Sequence, residues 1–403
     1  MRRVVVTGMG IWSCIGQDLQ TVAESLRVGF SGIAFTPERI DYGLQCGICG
    51  NVPQPNLKSL LPRKYRMFMS QEAQFAYMAA KQAVEQSGLT EEYLNSNEIG
   101  LLFGCDGTSE CLDPILKFED ENHDESDVFA WGRSETSNTN IILTSIFHIK
   151  GLNFCVGAAC ASSSHAIGIA ATYIRVGLQD VIIVGGACEI KKESVVLTDV
   201  LGALSLRNDD PARASRPFDN DRDGMVPSGG AAALVLEEYE HAVARGATIL
   251  AEVVGYGFSS NGIEEISMPS ADGEYIAMKR ALDDAGLRPS DIDYVNAHAT
   301  STIAGDIEEA KALTRLFGSK PYISSTKSMT GHENWMAGAS EAVYSILMMQ
   351  NNFVAPNINL VNVIDEAKDL NIVRETIYTP INTVLSNSSG MGGTNSALVF
   401  KKI

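Results

Sequence analysis

Short apolar runs rich in β-branched residues alternate with helical stretches from one end of this chain to the other. That alternation predicts α/β architecture. Strands are expected at Arg3–Thr7, Ile99–Phe103, Val181–Val184, Ala232–Glu237, Glu252–Tyr256, Tyr294–Asn296, Tyr322–Ser324, Val384–Ser386 and Ser396–Lys401. Helices are expected between them, including Gln71–Ser87, Ala161–Gly177, Tyr275–Ala285, Ile307–Phe317 and Ala339–Asn351. A length of 403 residues would suit two or three domains, but no Pro/Ser-rich linker or low-complexity segment divides the chain. A weak internal echo points elsewhere. A small-residue turn with Cys160 leads into a helix whose Ile167, Ala170, Ala171 and Ile174 form one apolar stripe. In the second half a Gly331-His332 turn leads into a helix with Ala339, Val343, Ile346 and Leu347 similarly spaced. Two such helices would pack back to back between sheets. The expected fold is therefore five αβαβα layers built from two pseudo-duplicated halves, 1–248 and 249–403, in one compact unit.

Charge narrows the partners. A formal net charge of −18 repels nucleic acid and anionic membrane except at a local basic patch. No apolar run of roughly 18 residues appears, and Met1-Arg2-Arg3 runs directly into a strand, so a cytoplasmic protein is expected. Eight irregularly spaced cysteines suit a reducing compartment, where most are small buried hydrophobes. The lone Cys46-Gly47-Ile48-Cys49 pair has no second pair and no histidine at ligand spacing, so it is read as structural.

Two further motifs fail. Gly8-Met9-Gly10 follows a strand, yet Ser13 stands where a dinucleotide fingerprint needs its third glycine, and a strand-to-loop turn explains the glycines. Asp219-Asn220-Asp221-Arg222-Asp223-Gly224 copies the first half of a calcium loop. Arg222 puts a cation inside the cage, and Gly230 replaces the closing glutamate. The six histidines, at 123, 148, 165, 241, 298 and 332, include no HExxH-like pair, so no catalytic metal is expected.

Three segments remain that packing alone explains badly. In Ala158-Ala159-Cys160-Ala161-Ser162 small neighbours permit a strained strand-to-helix turn and close approach to the sulfur. A helix N-terminus there is expected to lower the thiol pKa. The stretch from Tyr294 to Asp306, including His298, Thr300 and Thr302, reads as a strand breaking into a polar loop, with a helix starting near Asp306. Ser324 to His332, with Lys327, repeats the pattern. Sites in α/β sheets collect at such strand ends.

The order ACASS, NAHATST.AGD, STKSMTGH and SNS.G.GGTN, with Ala214–Asp219 and Asp223-Gly224 between the first two, resembles an elongating β-ketoacyl-acyl carrier protein synthase. The resemblance covers essentially the whole chain. It implies the thiolase fold and usually a homodimer, a heterodimer being open. It also implies decarboxylative condensation of a malonyl thioester with an acyl group held on Cys160, in fatty acid synthesis. Polyene or polyketide assembly is the alternative, and a non-catalytic chain-length-factor partner a third. In the matching roles Cys160 is the nucleophile, and His298 and His332 stabilise the enolate. The backbone N–H groups of Cys160 and Met391 form the oxyanion hole, and Lys327 pairs with Glu341. Thr300 and Thr302 match positions that bond the phosphopantetheine arm, which arrives on the carrier protein; the enzyme binds no cofactor of its own. Asn296, Glu341, Ser386 and Asn387 match a structural monovalent-cation site of some relatives. Arg63, Lys64 and Arg66, beside Met67-Phe68-Met69, resemble the segment that docks the acidic carrier protein.

The chain also departs from that pattern. Trp335 stands for a glycine of GHxxGAAG, and Ser389 and Met391 for both phenylalanines of the SFGFGG gating loop. Ala299 replaces a glycine and Ile303 a proline. No catalytic group is lost, but the acyl pocket and its gate are expected to differ.

Overall fold

A computed structural model describes residues 1–112, 128–263, 265 and 268–403. His123 lies outside them. The first half runs β1 (Val4–Trp12), α1 (Gln71–Ser87), β2 (Gly100–Gly104), α2 (Asn138–Phe147), β3 (Asn153–Val156), α3 (Ser162–Arg175), β4 (Val181–Cys188) and β5 (Gly230–Glu238). The second runs β6 (Ala251–Ser260), α4 (Ala271–Ala285), β7 (Tyr294–Asn296), α5 (Ile303–Phe317), β8 (Tyr322–Ser324), α6 (Ala337–Asn351), β9 (Thr383–Gly390) and β10 (Thr394–Lys401). Short helices and two small two-stranded ribbons decorate this frame.

The strands lie in the order β8-β7-β9-β10-β6-β1-β5-β4-β2-β3. From the centre outward each half therefore repeats one topology. Its first strand pairs antiparallel with the fifth, the fifth antiparallel with the fourth, and the fourth, second and third run parallel. The duplicated α/β fold is thus present, with one change from expectation. The two sheets meet edge to edge, Val5 opposite Glu252 and Val6 opposite Ala251, so ten strands form one continuous sheet. It wraps around α3 and α6, which pack on each other and on strands of both halves. In α6 every residue from Ala337 to Met349 is buried. α1 covers one outer face, and α4 and α5 the other.

The helix ends follow local chemistry. Ser70 caps α1 by accepting the Ala73 N–H, and Gly88 closes it in the left-handed region. Ser270 and Gly286 do the same for α4. Helix α5 begins at Ile303, three residues before the expected Asp306.

Gly8 and Gly10 sit inside β1, not in a strand-to-loop turn. A Cβ on either would lie 2.0 Å from a carbonyl oxygen, Ala83 and Ala79 respectively, on α1. Gly255 and Gly257 on β6 face Ala281 and Ala277 of α4 in the same way, at 2.2 and 2.1 Å. Both glycine pairs let an alanine-lined helix lie directly on the innermost strand of its half. Gly10→Ala is accordingly expected to destabilise the fold by about 2–4 kcal/mol. A thermal unfolding midpoint equal to that of the parent chain would disprove so close a contact.

The rejected motifs have structural roles. Asp219 accepts the backbone N–H groups of Val361, Asn362 and Asp221 at 2.7, 2.8 and 2.8 Å. Arg222 donates to Thr302 O at 2.9 Å and also to Ile303 O, so this segment buttresses the loop after His298. Cys46 and Cys49 are free, buried thiols.

Candidate active site

All three polar segments meet where α3 and α6 begin, just beyond the third strand of each half. Cys160 lies in a one-turn 3-10 helix, Ala159–Ala161, that runs into α3 at Ser162. Ala159 adopts φ 47°, a left-handed conformation that only a small side chain tolerates well here. Its N–H donates to Asp106 Oδ2 at 3.0 Å, which clamps the strained turn from the end of β2. Gly390, at the end of β9, has no room for a side chain, since a Cβ would lie 2.6 Å from Ala158 O.

His332 Nε2 lies 2.9 Å from Cys160 Sγ. Its backbone is pinned by His332 N–H to Val226 O at 2.7 Å and by Ser228 N–H to His332 O at 2.9 Å. The His298 ring packs edge-on against that of His332, with centroids 5.3 Å apart. Glu309 holds the loop beneath His298, accepting the N–H groups of His298 and Ala299 at 2.7 and 2.6 Å. Left-handed Ser301 and Asn334 turn the chain after each histidine. Lys327, buried, ion-pairs with buried Glu341. The backbone N–H groups of Met391 and Cys160 draw the pKa of the sulfur down.

Of the two imidazoles, that of His332 bonds to the sulfur and that of His298 packs edge-on against His332. One expectation needs correction: the resting thiol is not acidified on balance. Burial pushes it up to about 11, against the opposing pull of Lys327 and the two N–H groups. Both imidazoles are held well below the usual histidine value, first by burial and then by Lys327. The resting pair is a neutral thiol beside a neutral imidazole.

The remaining sequence candidates lie around this centre. Thr300 and Thr302 hydroxyls are 3.1 Å apart on the loop after His298. Ser386 stands opposite Asn296 in the sheet. Glu341 Oε2, Ser386 Oγ and Asn387 Oδ1 are buried oxygens without hydrogen-bond partners, whereas the Asn296 amide meets Thr326 at 3.4 Å. Arg63, Lys64 and Arg66 form one turn of helix; Arg63 and Lys64 are exposed, and Arg66 Nε is engaged by Leu61 O at 3.1 Å. The Met391 side chain is exposed. Trp335 is tied down: its indole N–H donates to buried Glu72 Oε1 at 2.9 Å. Asp106, Glu309 and Glu72 escaped the sequence analysis. Only Glu309, one turn beyond the AGD motif on α5, carried a local signal.

Comparison with known proteins decides the family. The model for the beta-ketoacyl synthase N-terminal domain matches residues 1–242, and that for the C-terminal domain residues 250–361. The chain belongs to the β-ketoacyl synthase family. It is 41% identical over its whole length to the full 3-oxoacyl-[acyl-carrier-protein] synthase 1 of Escherichia coli strain K12. A beta-ketoacyl synthase from Burkholderia phymatum STM815 superposes with a TM-score of 0.94 at 36% identity, both chains fully covered. A type II polyketide ketosynthase, solved with its acyl carrier protein and bound to the hexaketide, gives 0.89 at 28% identity, again over both full chains. The thiolase-like ketosynthase fold is therefore established for this chain.

Proposed function

We propose that this β-ketoacyl synthase is a 3-oxoacyl-acyl carrier protein synthase of fatty acid synthesis. The contact between Cys160 Sγ and His332 Nε2 carries that assignment. His332 takes the thiol proton as the sulfur attacks the acyl thioester, and passes it to the departing phosphopantetheine thiol. The acyl group stays on Cys160. The N–H groups of Cys160 and Met391 hold the tetrahedral oxyanion. Malonyl thioester then loses carbon dioxide, and the electron pair of the broken carbon–carbon bond becomes an enolate. Neutral imidazole N–H groups of His298 and His332 stabilise its oxygen in a dry site near Lys327. The enolate carbon attacks the acyl carbonyl, the carbon–sulfur bond breaks, and a chain two carbons longer leaves. Thr300 and Thr302 bond the phosphopantetheine arm.

The closer match to a synthase of fatty acids than to the polyketide enzyme supports this assignment over polyketide assembly. Incubation with acyl- and malonyl-loaded carrier proteins tests it. Mass spectrometry is expected to show the 3-oxoacyl product, with saturated chains outrunning polyunsaturated ones; no product overturns the assignment.

The working unit we propose is a homodimer that docks an acidic carrier protein at Arg63, Lys64 and Arg66. Strand β3 is an outer edge with exposed Asn153 and Phe154, while Ile372 bridges to Ile323 at the opposite edge. An uncovered edge with an apolar side chain invites a second copy. Sedimentation of the chain alone and with carrier protein reads both contacts; a monomer that ignores the carrier removes them. The free oxygens of Glu341, Ser386 and Asn387 suit a monovalent cation. Melting temperatures equal in potassium, sodium and choline chloride would remove it. Among the described residues no helix is long and apolar enough to cross a membrane. We place the enzyme in the cytoplasm, where free thiols such as Cys14, Cys46 and Cys188 persist, and cell fractionation checks this.

A further inference from the structure

Glu333 follows His332 directly and is 1% exposed. Its Oε1 accepts Ser13 Oγ, just beyond β1, at 3.2 Å and Tyr344 OH of α6 at 2.9 Å. Its Oε2 meets the hydroxyl of Ser340, also on α6. Ser340 has one hydroxyl proton and a second acceptor in reach, Ala337 O at 2.9 Å. If Glu333 is a carboxylic acid it donates to Ser340, which donates onward, and both bonds are made. If it is a carboxylate one of them is lost.

We propose that Glu333 is a positioning residue for His332, and that loss of its proton sets the alkaline limit of condensation. The inference rests on the function proposed above. The protonated side chain ties the His332 turn to β1 and α6 and adds no negative charge beside the Lys327–Glu341 pair. The ionised one gives up a tie and adds a buried negative charge next to His332 in the chain, besides that of Glu341. The charged and titratable groups facing Glu333 are Lys327 before the turn, Glu341 and Tyr344 from α6, and Cys14 from the end of β1. Burial raises Glu333 to about 7, with Ser340, Tyr344 and Lys327 pulling the other way. Burial likewise raises Glu341 to about 8.

The decisive variant is Glu333→Gln. Its amide oxygen can accept from Ser13 and Tyr344 and its amide N–H can donate to Ser340, so it imitates the acid at every pH. The full chain is assayed for kcat and KM with loaded carrier proteins from about pH 5.5 to about 9. The parent kcat is expected to fall as pH rises through neutrality. At about pH 8, kcat relative to its acidic plateau should be ~10-fold higher in the variant. Tyr344→Phe removes a hydroxyl that favours the carboxylate, and should move the parent's fall to higher pH by roughly half a unit or more. A Glu333→Gln profile that matches the parent overturns the proposal, as does a Tyr344→Phe profile that does not move. If Glu333→Gln fails to fold by thermal melt, Tyr344→Phe decides alone. Absence of 3-oxoacyl product from the parent chain at every pH overturns the function instead, so the two failures are distinct.

Discussion

Cys160→Ala is expected to abolish the acyl-enzyme and to lower condensation by about 10⁴-fold or more, because a nucleophile that acts as a unit with its base cannot be partly removed. Methyl for thiol in a turn of small residues leaves the Ala159 conformation and its bond to Asp106 in place. Thermal melts should therefore stay close to the parent. Intact-protein mass spectrometry after incubation with acyl-carrier protein checks the result: the parent gains one acyl mass and the variant none. Acyl transfer that persists in Cys160→Ala would move the nucleophile elsewhere and end the mechanism.

His332→Ala has the next largest expected effect. In the proposed mechanism the imidazole, 2.9 Å from the sulfur, serves twice, as base and as donor to the enolate. One donor to a developing oxyanion is worth roughly 10²–10³ in rate, and a positioned base roughly 10²–10⁴. The roles belong to different steps, so condensation follows the slower one and should fall ~10³-fold. Acylation of Cys160 and release of carbon dioxide from malonyl-carrier protein, measured separately, should both slow. His298→Ala should slow decarboxylation while sparing acylation, since the bond to the sulfur at 2.9 Å, in the base position of the proposed mechanism, comes from His332. Equal effects of the two variants on acylation would contradict the arrangement.

Much of this site could be read from sequence because its parts are short and local. The strands Tyr294–Asn296 and Tyr322–Ser324 stand as expected, each a few buried residues before a polar loop. Strand Asn153–Val156 was missed: it is four residues long, begins with asparagine and is exposed at its start, so no alternation marks it. The Gly8-Met9-Gly10 pair was legible as a motif but not as a contact, because its purpose is a helix some 70 residues further along the chain. Glu72 and Glu333 look like ordinary surface acids in helical surroundings. Only tertiary structure shows that Trp335 claims the first and three hydroxyls the second. The state of the Cys160 thiol was misjudged for a related reason. A helix end is visible in sequence, whereas the opposing desolvation depends on everything packed above it.

The nucleophile heads α3 and the second histidine's turn heads α6, and these two helices are the innermost layer of the molecule, packed on one another. Catalytic groups placed on peripheral loops can be lost through local fraying while the body survives; here the reacting atoms are separated only when the centre itself comes apart. Heat inactivation of this enzyme should thus report the cooperativity of the entire chain, and activity and global order should vanish together.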